Sequence, residues 1–582
     1  MKFNLFRRIR VLRRARREPA WVEAFRWAVT AAVLVSLVTL VIESGYRLGL
    51  PPALRWLVSI LDYLILGLFA VDIVVGYVFA RSRRQHFRQR WLDLAVFVPV
   101  IVSLLMHRSG TPFIIVRQLV IVGQAFTRTR RFAGLINRLR LQPVTMLALS
   151  FVGLIAAGTL LLTFPSATAC GRGAPFIDAF FTSTSAVCVT GLIVRDTPVF
   201  FSRFGQLVIL GLIQLGGIGI MTFSAGLAAV FTRRVGLARR RMVADIVEQV
   251  GDVDIVRTLR YIIGFTLLAE VAGAALLFAR FLPDFTHPLE ALYCAGFHSV
   301  SAFCNAGFSV FSNSLENYAG DPAVNLVIIG LIVAGGLGFV VVHELLNRNT
   351  LRRGPAFALR RLTVHSRLVL WTSGLLVVFG ALVFFFFEHD GALAHLRLGP
   401  KMLAALFQAV TPRTAGFNTV PFSALKPVTL FLWVALMFIG ASPGSTGGGI
   451  KTTTLAVLLL AVRARIRGRD EVEVKRRTVP RDVVYRATAI FVIAAGIVVL
   501  FFALLLAVES HPFPDLLFET VSAFGTVGLS TGITGALTVG GKLLVVLLMY
   551  VGRLGPLTLA LAMRSRTTRL AMEYPAAEVM VG

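Results

Sequence analysis

Four short stretches of the chain share a pattern of residues able to handle a cation. TSTSAVCVTGL (182–192), HSVSAFCNAGF (298–308), FQAVTPRTAGF (407–417) and ETVSAFGTVGL (519–529) align on Gly191, Gly307, Gly416 and Gly528, 109–116 residues apart. A fixed internal period marks one structural unit used repeatedly. The candidate ion-handling runs are Cys188, Val189, Thr190 and Gly191; Cys304, Asn305, Ala306 and Gly307; Arg413, Thr414, Ala415 and Gly416; and Gly525, Thr526, Val527 and Gly528. Glycine enters backbone conformations that other residues resist, so each run can aim carbonyl oxygens at a common axis. Four runs around that axis make a ring of dipoles that can replace the water around a cation. A single such glycine would read as a turn between helices; four in the same setting argue for the ring.

The flanking residues read as an all-α polytopic membrane protein. Each quarter (about 141–240, 241–355, 356–470 and 471–582) contains a span, an outer half-helix, a glycine run and a second span. The spans are expected at 144–164 and 204–231, 259–281 and 325–346, 368–387 and 429–460, and 483–508 and 542–563. The half-helices are expected at 176–186, 289–303, 401–410 and 515–524. A half-helix ending at each run turns its partly negative C-terminus toward a cation. Asp178 and Asp515 stand at the opposite ends, as plain dipole partners without an ion contact. Irregular backbone at this depth survives only when buried in protein or lining a wet cavity.

Composition agrees. The 582 residues are 56% hydrophobic, and Lys plus Arg exceed Asp plus Glu by 30; mean hydropathy is +0.79. The basic excess sits between apolar spans, in TRRVGLARRRM, LNRNTLRRG, RARIRGRDEVEVKRR and the tail RSRTTR. This is the positive-inside pattern of cytoplasmic loops rather than a nucleic-acid surface. It places both termini in the cytoplasm and brings the half-helices in from outside. Cys170, Cys188, Cys294 and Cys304 have neither metal spacing nor the look of a disulfide framework. No residue set calls for covalent chemistry, so the chain does not read as an enzyme.

SAVCVTGL with QLGGIGIMT (214–222), SAFCNAGF, TPRTAGFNT, GASPGSTGGGIKTTT (440–454) and VGRLGPLT (551–558) resembles the Trk/Ktr/HKT superfamily of potassium transporters. The wording is closest to the membrane subunit of the Ktr type, and the resemblance runs from about Pro143 to the C-terminus. It implies potassium uptake across the bacterial plasma membrane through one pore per chain. It also implies a homodimer and a separate cytoplasmic nucleotide-binding regulatory ring. Sodium stands as a coupling or activating ion, since an obligate sodium- or proton-coupled symporter remains an alternative. So does a potassium sensor with little flux.

Three features near the pore carry their own expectations. Arg413, facing the axis, would repel a potassium ion about 5 Å away by roughly 3 kcal/mol at an effective dielectric of 20, so its side chain is expected behind the run. Gly444, Ser445, Thr446, Gly447, Gly448 and Gly449, with Pro443 before them and Lys451 after, cannot continue a helix in lipid unaided. In the family this is the intramembrane gate loop. Arg553 lies inside the last span, where a lone charge costs about 3 kcal/mol; the resemblance sets it at gate level, facing the pore. GSTGGGIKT is one residue too long between Gly449 and Lys451 for a phosphate loop and follows no soluble strand. His343 and Glu344 begin a zinc motif, but Asn347 stands where the second histidine belongs.

Residues 1–140 add a basic N-terminus, suited to anionic membrane lipid, and four spans at about 22–42, 54–79, 91–106 and 112–126. Asp62, Asp72 and Trp91-Leu92-Asp93 resemble the sensor module of voltage-gated cation channels. Arg117 is alone in the apolar part of the fourth span, with Arg128, Arg130 and Arg131 after it. That pattern favours a docking or assembly block over a working sensor.

Overall fold

The computed structural model describes residues 143–234, 255–346, 362–475 and 477–555. The four N-terminal spans, most of the first two basic connections and the basic tail lie outside the described residues.

Within each quarter an outer helix, a short pore helix and an inner helix follow in order. The first has α1 (Pro143–Leu162), α2 (Phe176–Val187) and α3 (Arg203–Arg234). The second has α4 (Ile255–Phe281), α5 (Pro288–Cys304), α6 (Pro322–Gly336) and α7 (Phe339–Leu345). The third has α8 (Val364–Glu388), α9 (Leu398–Val410), α10 (Pro427–Phe438) and α11 (Thr452–Ile466). The fourth has α12 (Arg481–Val508), α13 (Phe513–Gly525) and α14 (Val539–Leu554). Five described helices are long and apolar enough to cross a bilayer, six if α6 and α7 count as one broken span. At 1.5 Å per residue, the 20 residues of α1 span about the thickness of a hydrocarbon core.

The packing is cyclic. α3 lies on the second pore helix α5, α6 on the third (α9), α10 on the fourth (α13), and α14 returns to the first (α2). Each pore helix is therefore held by its own quarter and by the preceding one. The core is built from their apolar faces, with Phe181, Phe303, Phe407, Phe518 and Trp433 fully buried. The outer faces of α8 and α12 stay apolar and exposed, as at Trp371, Phe386 and Val499; in a bilayer their solvent is lipid.

Two elements differ from the sequence reading. The span expected at 325–346 breaks at Leu337–Gly338, where α6 and α7 meet at 110°. Gly338 has φ +86°, and a side chain there would run into the carbonyl of Pro443; the break is where the inner helix yields to the loop below the pore. The connection at 463–477, expected as a plain basic loop, contributes to a small antiparallel hairpin, β1 (Val472–Val474) with β2 (Arg477–Val479), in register Val472 to Val479. Alternation of Val and charged residues over VEV explains it.

Candidate ion pathway

The four glycine runs adopt one conformation. In each, the glycine and the residue two before it are left-handed: Val189 and Gly191, Asn305 and Gly307, Thr414 and Gly416, Thr526 and Gly528, with φ between +51° and +96°. For non-glycine residues this region is uncommon, so its occurrence at the same place in each quarter is a shared constraint. The runs also meet in a ring. A Cβ on Gly191 would stand 2.5 Å from the Ala306 carbonyl oxygen, on Gly307 3.0 Å from that of Ala415, and on Gly416 2.5 Å from that of Val527. On Gly528 it would strike the Thr190 carbonyl, closing the circle. Glycine is required because the next backbone occupies the place of a side chain.

Each run is braced from behind. Amides of Thr190, Ala306 and Val527 donate to the carbonyls of Ser185, Ser301 and Ser522 at 2.8–2.9 Å. The Ser185 and Ser522 hydroxyls accept from the amides of Gly191 (3.1 Å) and Gly528 (3.2 Å), while Ser301 Oγ donates to Phe308 O at 2.7 Å. The third quarter has Val410 in the serine column; Thr411 takes over, donating to Phe417 O. These hydroxyls were not singled out from the sequence, although the repeated serine three residues before each cysteine or glycine is visible there.

Of the sequence candidates, Thr190, Gly191, Ala306, Gly307, Ala415, Gly416, Val527 and Gly528 are brought together at the ring. Cys188, Cys304 and Gly525 sit at the pore-helix ends. Cys304 Sγ is 3.4 Å from Gln214 Oε1, whose amide nitrogen donates to Glu270 at 3.0 Å. A Cβ on Gly525 would meet the Met437 carbonyl. Arg413 turns behind the third run into a crevice between α6 and α8. The Asn305 amide bridges quarters, its oxygen 3.2 Å from the Thr414 hydroxyl and its nitrogen donating to Ala302 and Ile332 carbonyls.

The loop between α10 and α11 lies directly beneath. Thr446 N donates to Gly335 O (3.2 Å), Ser442 N to Gly336 O (3.1 Å) and Phe339 N to Gly444 O (3.2 Å), which fixes the loop to the broken inner helix. Gly448 N donates to Thr526 Oγ1 at 3.1 Å, and Gly447 packs on the Thr414 hydroxyl. Ser445 Oγ donates to Ser442 O (2.6 Å), and Lys451 Nζ to Gly447 O (2.7 Å). A Cβ on Gly449 would stand 3.1 Å from Gly440 Cα, so the neck of the loop is pinched. Arg553 is 3% exposed. It donates from Nη2 to Gly216 O at 2.9 Å and from Nη1 to Thr446 O, joining the fourth quarter, the first quarter and the loop. Among the described residues its charge is met by carbonyl oxygens, not by an acid.

Two acids have structural duties. Asp178, expected as a dipole partner at the start of α2, also pairs with Arg195 (2.7 Å) and with Lys542 of the fourth quarter (2.9 Å). Burial at the seam between quarters demands a counter-charge. Glu344, from the incomplete zinc motif, accepts from Thr363 N at 2.8 Å and Thr363 Oγ1 at 3.0 Å at the start of α8. No group of three or more potential metal ligands occurs among the described residues.

A four-repeat helical pore with this ring and loop defines a class of cation-transport proteins, and the chain belongs to one of its families. The TrkH family of cation transport proteins matches residues 125–568. The Ktr system potassium uptake protein B of Bacillus subtilis is 38% identical over 449 residues, covering 77% of this chain and 98% of that protein. The potassium/sodium uptake protein NtpJ of Enterococcus hirae is 34% identical, covering 76% and 98%. The fold is similar to the crystal structure of the potassium transporter TrkH from Vibrio parahaemolyticus, with TM-score 0.59 and 21% identity over 81% of this chain and 95% of that one.

Proposed function

We propose that the chain carries potassium inward across the plasma membrane through one pore, selecting the ion with the backbone carbonyls of its four glycine runs. The observation that supports this most directly is the repeated left-handed pair in each run, joined in a ring by glycine-to-carbonyl contacts. Backbone dipoles held in this way replace a hydration shell. The relatives named as potassium uptake proteins support the same ion. The loop 444–449, with Lys451 and Arg553, acts as the gate: it packs beneath the third and fourth runs and is held by hydrogen bonds that a modest movement would break.

The Ktr relatives are named as one protein of a system, which supports a reading with a separate cytoplasmic regulator, a nucleotide-binding ring, acting on a homodimer. The Enterococcus hirae relative, named for potassium and sodium, supports sodium as a coupling or activating ion. Uptake by a potassium-transport-deficient bacterium, measured with and without sodium, tests the proposal. Restored growth at low potassium is expected. No uptake under either condition, from protein present at the cell surface, would refute it. Uptake that absolutely requires sodium and stops when the sodium gradient is removed would make the protein a symporter.

A further inference from the structure

Behind the third run, α6 and α8 stand apart around a crevice of about 310 Å³, lined among others by Val333, Leu337, Leu370, Ser373, Val377 and Arg413. That is near the lower end of small-ligand sites, about 300–1,000 Å³. Neighbouring α8 residues Trp371, Leu375 and Val378 are exposed, so in a bilayer the crevice opens onto acyl chains and not onto water. Two polar atoms in its wall have no hydrogen-bond partner among the described residues: Ser373 Oγ, on a residue 6% exposed, and Arg413 Nε. No acid lines the crevice. An unpaired guanidinium in apolar surroundings is costly and needs an anion or water, and a wall of this composition does not hold water well.

We propose that this crevice holds one anionic phospholipid, its phosphate on Arg413 and Ser373 and an acyl chain along the valines and leucines. Two observations favour a lipid as the source of the anion. The side chains exposed beside the crevice are apolar, and the sequence just before α8 carries Arg352, Arg353, Arg360 and Arg361, residues of the kind that attract anionic lipid. Ser373 lies nine residues into α8, about 14 Å along it. Local thinning of the bilayer around a buried arginine brings headgroups toward such depths. Because Arg413 is continuous with the third run, the lipid becomes a positioning element for the pathway.

The test is retention of lipid by the full chain in mild detergent, followed by native mass spectrometry during titration with phosphatidylglycerol or phosphatidylcholine. One phosphatidylglycerol per chain is expected at a concentration at least tenfold below that needed for phosphatidylcholine. Millimolar inorganic phosphate is expected not to displace it. Gly374 lines the crevice, and a Cβ there meets nothing within 4 Å. Gly374→Phe, which fills the space, is expected to abolish the preference, Ser373→Ala to weaken it several-fold, and Gly374→Ala to keep it. Equal retention of the two lipids by the unaltered chain would overturn the proposal, as would displacement by free phosphate. So would an unchanged preference in both Gly374→Phe and Ser373→Ala, including the case in which Gly374→Phe separates dimers, which would make the crevice a contact between copies.

Discussion

Arg553→Ala is the most informative single change. The side chain makes two charge-assisted hydrogen bonds, to Gly216 O and to Thr446 O, and only the second reaches the loop. Such a bond is worth about 1.5–3 kcal/mol. If the loop must leave Thr446 to clear the pathway, the closed arrangement loses about that much relative to the open one. At 1.4 kcal/mol per tenfold, basal flux is expected to rise by roughly 10- to 150-fold, until opening is no longer limiting. Arg553→Lys keeps the charge but cannot fork to both carbonyls, and is expected to fall between. Rubidium influx into proteoliposomes, normalised to the amount of folded protein, reads the effect without any regulator. Unchanged or reduced flux in both variants would refute the latch and make Arg553 a brace for the fold.

Removing residues 444–449 is expected to raise basal flux further, since the Thr526 and Gly335 contacts go with them; lower flux at normal surface expression would move the gate elsewhere. Gly191→Ser is expected to lower the potassium-to-sodium permeability ratio. The new Cβ meets the Ala306 carbonyl at 2.5 Å at a φ of +96°, so neighbouring backbone has to shift rather than merely gain a polar wall; an unchanged ratio in a folded variant would reject carbonyl selection at this position. In the N-terminal block, one charge crossing the whole field is worth about 2.3 kcal/mol per 100 mV. With Arg117 and at most Arg128 available, voltage dependence is expected to be weak and little altered by Arg117→Gln. Steep gating currents lost in that variant would make the block a sensor. Deleting residues 1–140 is expected to leave a selective pore.

Much of the ring of glycine runs was legible because it is written as repetition. The alignment on Gly191, Gly307, Gly416 and Gly528 marked the backbone runs, and half-helix ends fell within a few residues of expectation, as for 176–186 against Phe176–Val187. Helix-breaking residues around Pro443 marked the loop. What was not legible depends on contacts between quarters. Nothing local says that Asp178 meets Lys542, or that Arg553 reaches Gly216 and Thr446. The break at Gly338 was hidden because the flanking residues are uniformly apolar, and hydropathy counts them as one span; only the glycines at 335, 336 and 338 hint at it. The third run shows why a repeat can mislead in detail: Val410 cannot brace, and Thr411 does so from the next position.

The seam closed by Asp178 and Lys542 joins residues 364 positions apart, and at the same seam Gly528 packs on the Thr190 carbonyl. During synthesis the N-terminal part emerges first. Three quarters therefore stand in the membrane with Asp178 lacking its fourth-quarter partner and the first run unsupported on one side. The seam is not complete until α14 has been inserted. A chain stalled or cut before that helix is not a leaky pore with a missing wall but an unfinished one. On such a chain the acid at the seam has only Arg195 of its own quarter as a counter-charge and still awaits its lysine.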